Sequence, residues 1–232
     1  MFLSRIQLRL HHLRPEMLEK WHTTAPYASH QWLWQLFPEQ DSRQFLFRQE
    51  AHGQFFVLSS VPPSAAHSLF QVETRPFQPQ LTAGMRLDFQ LRANPVITRN
   101  GKRCDVMMNA KHQAREAGVD KGQWRQQQYA AAQAWLEKQG EQHGFRLAEP
   151  KADDFALWAG ETQTQESSLC VKSWQQHRVM RKSGEPPMIY SSVDYQGTLH
   201  IVDVAKFTQA LFLGIGKSKA LGCGMLMVKR AR

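Results

Sequence analysis

Gly214-Ile215-Gly216-Lys217-Ser218-Lys219-Ala220-Leu221-Gly222-Cys223-Gly224 lies between a stretch with helical spacing, Asp203 to Leu213, and a strand-like stretch, Cys223 to Lys229. Two Gly-apolar-Gly clasps bracket a segment that carries Lys217 and Lys219. The order helix, loop, strand argues against a Walker P-loop, in which the glycines stand between a strand and the helix after it. Gly-x-Gly-x-x-Gly does not fit either, because the third glycine comes too late. Glycines at 214, 216, 222 and 224 leave no Cβ to hold a phosphate chain away from peptide N–H groups, and the lysines add positive charge there. On that reading a bulky residue at Gly216 or Gly222 obstructs the approach. A plainer reading stays open beside it, a glycine C-cap followed by a connection into the last strand.

Working outward, Phe2 to Leu10 alternates apolar and polar residues like a strand. A helical stretch runs from about Pro26 to Phe37, with Tyr27, His30, Leu33, Trp34 and Phe37 on one face, and Pro38 ends it. Gln44 to Arg48 and Gln54 to Ser59 flank His52-Gly53 as a hairpin, a short helix covers Ser64 to Phe70, and a strand runs from Gln71 to Phe77. This is the split βαββαβ, or ferredoxin-like, order. The second half opens with a strand at Met85 to Val96 and a basic linker holding Arg99, Lys102, Arg103, Lys111 and Arg115. A helix at Gln123 to Gln142 follows, then strands at Phe145 to Ala159, Leu169 to Arg181 and Pro187 to Val202. The Asp203 helix and the closing strand repeat the first pattern with one strand added. The expected fold is α+β, two tandem ferredoxin-like units over residues 1–80 and 85–232, joined near Phe77 to Gly84. Trp32, Trp34, Trp124 and Trp135 fall at helical spacing and read as core.

The 232 residues carry 29 Lys and Arg against 20 Asp and Glu, a net charge of +9, with 42% hydrophobic content. Such a chain folds and favours a polyanionic partner, nucleic acid before an anionic membrane surface. No window approaches 18 uninterrupted apolar residues, so no membrane partner is expected. The N-terminus has no apolar block of the signal-peptide kind, which places the protein in the cytoplasm. Cys104, Cys170 and Cys223 are too few and too widely spaced for a disulfide framework or zinc cluster. No Asp/Glu/His grouping reads as a divalent-metal site, Asp153-Asp154 being the one acidic doublet, so neither metal nor cofactor is expected.

Basic residues gather in three places. These are Arg92 to Arg115, with Arg92, Arg99, Lys102 and Arg103; a hairpin with Arg178, Arg181 and Lys182 around Ser183-Gly184; and the glycine loop. Three clusters in one basic chain suit a phosphate-binding surface, and a basic hairpin can enter a groove of structured RNA. His30 and Tyr27 share a helical face, so their polar tips can converge on one site. The same face carries Leu33, Trp34 and Phe37, and a pair of core residues remains the alternative from spacing alone.

Tyr27-Ala28-Ser29-His30-Gln31-Trp32-Leu33-Trp34-Gln35-Leu36-Phe37-Pro38, Leu91-Arg92-Ala93-Asn94-Pro95 with Lys102-Arg103-Cys104 after it, and the glycine loop together resemble the CasE family, the CRISPR repeat-RNA endoribonucleases of type I-E systems. The resemblance implies two ferredoxin-like domains and metal-independent cleavage of precursor CRISPR RNA at the base of the repeat stem-loop. It also implies retention of the product among the other subunits of the Cascade complex. His30 matches the family's catalytic histidine and Tyr27 the tyrosine that assists it. A histidine of ordinary pKa about 6.5 can serve as base or acid when the 2′-hydroxyl attacks the neighbouring phosphate, giving a 2′,3′-cyclic phosphate and a 5′-hydroxyl. Tyr27, with a phenol pKa of about 10, suits donation better than proton abstraction. A non-catalytic module that holds an RNA hairpin is the rival class. A DNA-binding regulator fits less well, because the Gln123 helix carries only Arg125 and Lys138 as basic residues.

Overall fold

In the computed structural model, which describes residues 1–38, 40, 42–99, 101–148, 169–179 and 187–231 and leaves aside the side chains of 18–27, the alternating N-terminus forms strand β1, Phe2–Leu8, with Ser4, Ile6 and Leu8 turned inward. Helix α1 (Pro15–Trp34) follows, and β2 (Phe45–Gln49), β3 (Gln54–Ser59) and β4 (Phe70–Pro76) complete an antiparallel sheet in the order β2-β3-β1-β4. The first and third strands occupy the centre and the second and fourth the edges, the ferredoxin-like arrangement.

Two expectations for this half are corrected. Helix α1 begins at Pro15, eleven residues before Pro26 and ahead of the expected start. Pro15 stands in the first turn, where its missing N–H removes no intrahelical bond. Pro26 lies inside the helix, at a position that ordinarily costs about 3 kcal/mol; burial of Ala28, Trp32 and Leu33 against the sheet offsets that cost. Residues Ser64 to Leu69 form no helix and cross to β4 as turns and bends. Pro62-Pro63 hold the chain extended there, and Phe70, the large apolar residue at its end, is buried in β4.

In the second half β5 (Arg86–Ala93) buries Leu87, Phe89, Leu91 and Ala93 at period two. The supposed basic linker is instead a hairpin, β6 (Val96–Arg99) and β7 (Lys102–Asp105), followed by α2 (Val106–Glu116). Gly101, at φ 71°, supplies the turn, and the Asp105 carboxylate caps α2 by accepting from Met108 N at 2.7 Å. Helix α3 (Trp124–His143) ends on Gly144, and β8 (Phe145–Leu147), β9 (Leu169–Val179), β10 (Met188–Ile201), α4 (Val204–Leu213) and β11 (Leu226–Arg230) complete the unit. The sheet runs β11-β5-β10-β8, with β9 also paired to β10, and each of these pairings is antiparallel. β5 and β10 lie in the centre, with β8 and β9 both paired to β10 in the place of a single second strand, so the chain is α+β with two tandem ferredoxin-like units. The expected continuation of β8 to Ala159 falls almost wholly outside the described residues.

The two sheets meet through β2. Phe45 and Phe47 join the core under α1, whereas Leu46 packs with Leu58 and Met225 in a separate cluster that also takes in Leu3, Phe56, Phe77 and Phe212. An edge strand buried on both faces explains the unbroken burial from Phe45 to Arg48. Arg48 follows the same alternation and approaches Asp194 of β10 at 3.9 Å.

Candidate functional site

His30 lies in the last turns of α1 within an aromatic frame. Its ring centroid is 5.6 Å from Trp34, 6.0 Å from Phe45 and 6.4 Å from Phe47. The ring is half-buried, and Nε2 is buried without a hydrogen-bond partner among the described residues. Burial holds the imidazole pKa below its ordinary value, and the positive charge of Arg43 pushes it further the same way. His30 is therefore uncharged at neutral pH and carries a nitrogen lone pair able to accept a proton. Tyr27 lies one turn earlier in α1, and its side chain is outside the described residues.

Arg43, which sequence reasoning passed over, stands two residues before Phe45 on the approach to β2. Its Nη1 is buried without a partner, and burial lowers the guanidinium pKa. From the second half, a 3₁₀ turn at Lys219–Leu221 packs on α1 and β2. Lys219 Nζ donates to Leu213 O at 2.8 Å. Its pKa is lowered by burial and then by the charges of Arg43 and Lys217. His143, at the end of α3, is lowered by burial and by Lys219. Among the described residues no carboxylate forms an ion pair with Arg43, Lys217 or Lys219, so this gathering of bases and cations has no internal counter-charge. An anion is what such a place binds.

The glycine loop delivers Lys219 by wrapping the β2 edge, and its glycines are consumed in that packing. At Gly224, φ is 88° and an added Cβ would stand 2.7 Å from Ile215 O; at Gly214, φ is 76° and a Cβ would stand 2.8 Å from Gly224 O and 2.9 Å from Leu46. A Cβ on Gly222 would meet Phe47 at 3.2 Å, and one on Gly216 would meet Trp135 at 3.3 Å. The N–H groups of Gly214, Ile215, Leu221, Cys223 and Gly224 already donate within the chain. The N–H groups of Gly214 and Gly224 are thus occupied within the chain, and the close approaches at all four glycines let the loop close on itself, on Trp135 and on β2. Gly224→Ala places a side chain in a left-handed backbone against a carbonyl, and we expect a loss of about 2 kcal/mol or more in urea unfolding.

A family model described as CRISPR associated protein matches residues 1–230. The CRISPR system Cascade subunit CasE of Escherichia coli is 29% identical over 211 residues, 86% of this chain and 89% of that protein. The chain belongs to the CasE family of CRISPR-associated proteins. Another relative, the CRISPR-associated endoribonuclease Cse3 of Thermus thermophilus, is 30% identical over 159 residues, 66% of this chain; the match spans 60% of that protein's length. A structure of the CRISPR endoribonuclease Cse3 bound to a 19-nucleotide RNA superposes with a TM-score of 0.71 at 25% identity, covering 99% of this chain and 100% of the other.

The remaining basic residues of this CasE-family chain are dispersed. Arg92 is committed to a clasp: Nε and Nη2 donate to the Asp194 carboxylate at 2.9 and 3.0 Å, and Nη1 donates to Gln49 O at 3.1 Å. That role ties β5 and β10 to β2 and leaves little of the guanidinium for RNA. Arg99, Lys102 and Arg103 are exposed on the β6–β7 hairpin, and Arg99 lines a surface cavity with Lys111, Arg115 and Trp124. Arg178 is exposed on β9. Arg181, Lys182 and Asp153-Asp154 lie outside the described residues. Lys217 pairs through its backbone with Asn94, and Asn94 Nδ2 donates to Ser218 Oγ at 2.8 Å, so the loop that carries both lysines is anchored to the end of β5. The Cys223 thiol is buried and its pKa is pushed up to about 12, which leaves it an unreactive packing residue. No described helix is long and apolar enough to cross a membrane.

Proposed function

We propose that this chain is a metal-independent endoribonuclease that cleaves precursor CRISPR RNA at the base of the repeat stem-loop and keeps the product as a subunit of Cascade. The observation that carries the reading is an uncharged His30 whose nitrogen has no partner among the described residues, set beside cations from both halves for which those residues supply no counter-charge. The relatives support it: one is named an endoribonuclease and another a Cascade subunit, and Cse3 binds RNA in its solved complex.

In the proposed reaction His30 takes the proton of the 2′-hydroxyl beside the scissile phosphate. The 2′-oxygen then forms a bond to phosphorus in line with the departing 5′-oxygen, whose bond to phosphorus breaks. The 5′-oxygen leaves as a hydroxyl, with its proton supplied by Tyr27 or by water, and the upstream fragment ends in a 2′,3′-cyclic phosphate. The nucleophile belongs to the substrate, so the protein needs to supply a base, charge stabilisation and alignment. Arg99, Lys102, Arg103, Arg178, Arg181, Lys182 and Lys217 are proposed contacts to the RNA backbone and stem.

The test is single-turnover cleavage of a repeat hairpin from the source genome, in EDTA, with the ends of the products identified. A cyclic phosphate and a 5′-hydroxyl are expected. Tight binding with an intact strand would instead leave a hairpin-binding module.

The lowered pKa of His30 sets a pH dependence. A base must be unprotonated, so the rate at limiting enzyme should be level through neutrality and fall about tenfold per pH unit below a value lower than 6.5. A rate that climbs towards acid would make His30 the proton donor instead.

A further inference from the structure

We propose that Arg43 holds the scissile phosphate, its guanidinium set against the non-bridging oxygens that gain charge as the 2′-oxygen bonds to phosphorus. The inference deepens the ribonuclease reading and rests on it.

Placement is the first argument. Phe45 and Phe47 present their rings to His30, and strand alternation carries the same face back to residue 43. Arg43 thus enters the site from the strand side while His30 enters from α1. Lys219 closes the site from the second half, because its turn packs on both of those elements. Consecutive elements of the first half and a turn of the second that packs on both carry His30, Arg43 and Lys219, and the positive charge of Arg43 lowers the pKa of each of the other two.

The second argument is what Arg43 lacks. A buried guanidinium nitrogen in a folded protein almost always finds an acceptor, and a buried charge finds a counter-ion. Elsewhere in this molecule the buried guanidinium groups have counter-ions: Arg92 has Asp194 and a backbone carbonyl, and Arg48, whose Nη1 is also without a partner among the described residues, has Glu50 through Nε. Among the described residues Arg43 Nη1 is buried without a partner and no carboxylate pairs with the guanidinium, while its positive charge acts on a histidine and a lysine. As a structural device this arrangement is unfavourable, since every neighbour named repels it or is neutral. It becomes favourable once a dianionic or monoanionic oxygen group sits among the three. A guanidinium presents paired N–H donors in a plane that matches two phosphate oxygens, which an ammonium does not.

The chemistry assigns Arg43 no proton transfer. It stays charged throughout, while the 2′-hydroxyl proton goes to His30 and the 5′-oxygen takes its proton from Tyr27 or water. Its contribution grows as the oxygens gain charge, so it acts on the rate of the bonded complex more than on affinity.

The experiment uses the full chain with Arg43→Met and Arg43→Lys beside wild type. Four readouts are taken: melting temperature, affinity for a hairpin with a 2′-deoxy nucleotide at the cleavage site, the single-turnover rate at saturating enzyme on the all-RNA hairpin, and the imidazole pKa of His30 by NMR in the free protein. Arg43→Met should lower the rate about 100-fold or more, within the range seen for lost charge stabilisation, and should weaken the deoxy hairpin less than tenfold. Its melting temperature should hold or rise, because a half-buried cation with no partner for Nη1 among the described residues is removed, and the His30 pKa should climb towards its ordinary value. Arg43→Lys should recover part of the rate. Arg43→Met cleaving at the wild-type rate overturns the assignment while leaving the ribonuclease reading intact. So does a rate loss that is accounted for by a fallen melting temperature in both variants. Wild type that binds the hairpin and leaves it whole overturns the ribonuclease reading, and the assignment falls with it.

Discussion

His30→Ala should cut the single-turnover cleavage rate by about 10² to 10⁴, the usual span for loss of a positioned general base, and leave the affinity for the repeat hairpin within a few-fold of wild type. The two outcomes separate because of where the side chain sits. Its ring is enclosed by Trp34, Phe45 and Phe47, with Nε2 as the polar atom left over, whereas the exposed cations proposed to contact the stem lie elsewhere on the β6–β7 hairpin and on β9. Stability enters with two opposing terms. Alanine loses the aromatic contacts, and it also removes a buried nitrogen that has no partner. A melting curve on the same preparation decides whether a lost rate reflects lost chemistry. If the variant cleaves as wild type does, His30 is a packing residue and the hairpin-binding module becomes the better account.

Much of this was legible before any coordinates. Period-two burial in β5 and the Asp203 cap of α4, whose carboxylate accepts from Lys206 N at 3.0 Å, are local signals, and local signals survive folding. The β2–β3 hairpin around His52-Gly53 is of the same kind. The failures have physical causes. Pro26 read as a helix start because an interior proline is penalised, but sheet contacts of Ala28, Trp32 and Leu33 outweigh that penalty and Pro15 is the true first turn. Asn100-Gly101 is a strong hairpin dipeptide, but the run of basic residues around it lacks the apolar alternation that marks strands, so the segment reads as a linker. At the site, His30 could be found from its helix and Arg43 could not. Nothing in Ser42-Arg43-Gln44 marks the arginine, because its meaning comes from β2 running beneath α1 and from a turn 176 positions later in the chain, Lys219. The glycine loop is visible in the sequence but the obstacle at each glycine is not, since a Cβ that cannot be tolerated looks alike in sequence whether it would meet a ligand or the protein itself.

Asp194→Ala should be the most damaging substitution outside the candidate site, lowering stability by about 3 kcal/mol or more in urea unfolding. The carboxylate receives two bonds from Arg92 and one from Ser173 Oγ at 2.9 Å, with Arg48 Nη2 at 3.9 Å. Arg92 and Arg48 are both largely removed from water, so deleting the carboxylate strands positive charge at the junction of the two sheets. Replacement of the pair together, Arg92→Met with Asp194→Leu, should cost much less, because the desolvation that the clasp must overcome disappears with it. The pH sign follows from the same contacts. Hydrogen bonds and the charge of Arg92, with help from Ser173 and Arg48, outweigh burial and hold the Asp194 pKa below its ordinary value. Its stabilisation is therefore fully present above the unfolded pKa of about 3.9 and is lost as pH falls through the lower folded value. Wild type should lose this increment in strongly acid solution, and Asp194→Ala should show a flatter acid limb. The consequence reaches the candidate site, because Arg92 also holds Gln49 O at the end of β2, and β2 carries Phe45 and Phe47 beneath His30 while the second half presents Lys219. Loosening the clasp lets the two halves of the site separate, so the cleavage rate of Asp194→Ala should fall even at temperatures where the variant is fully folded.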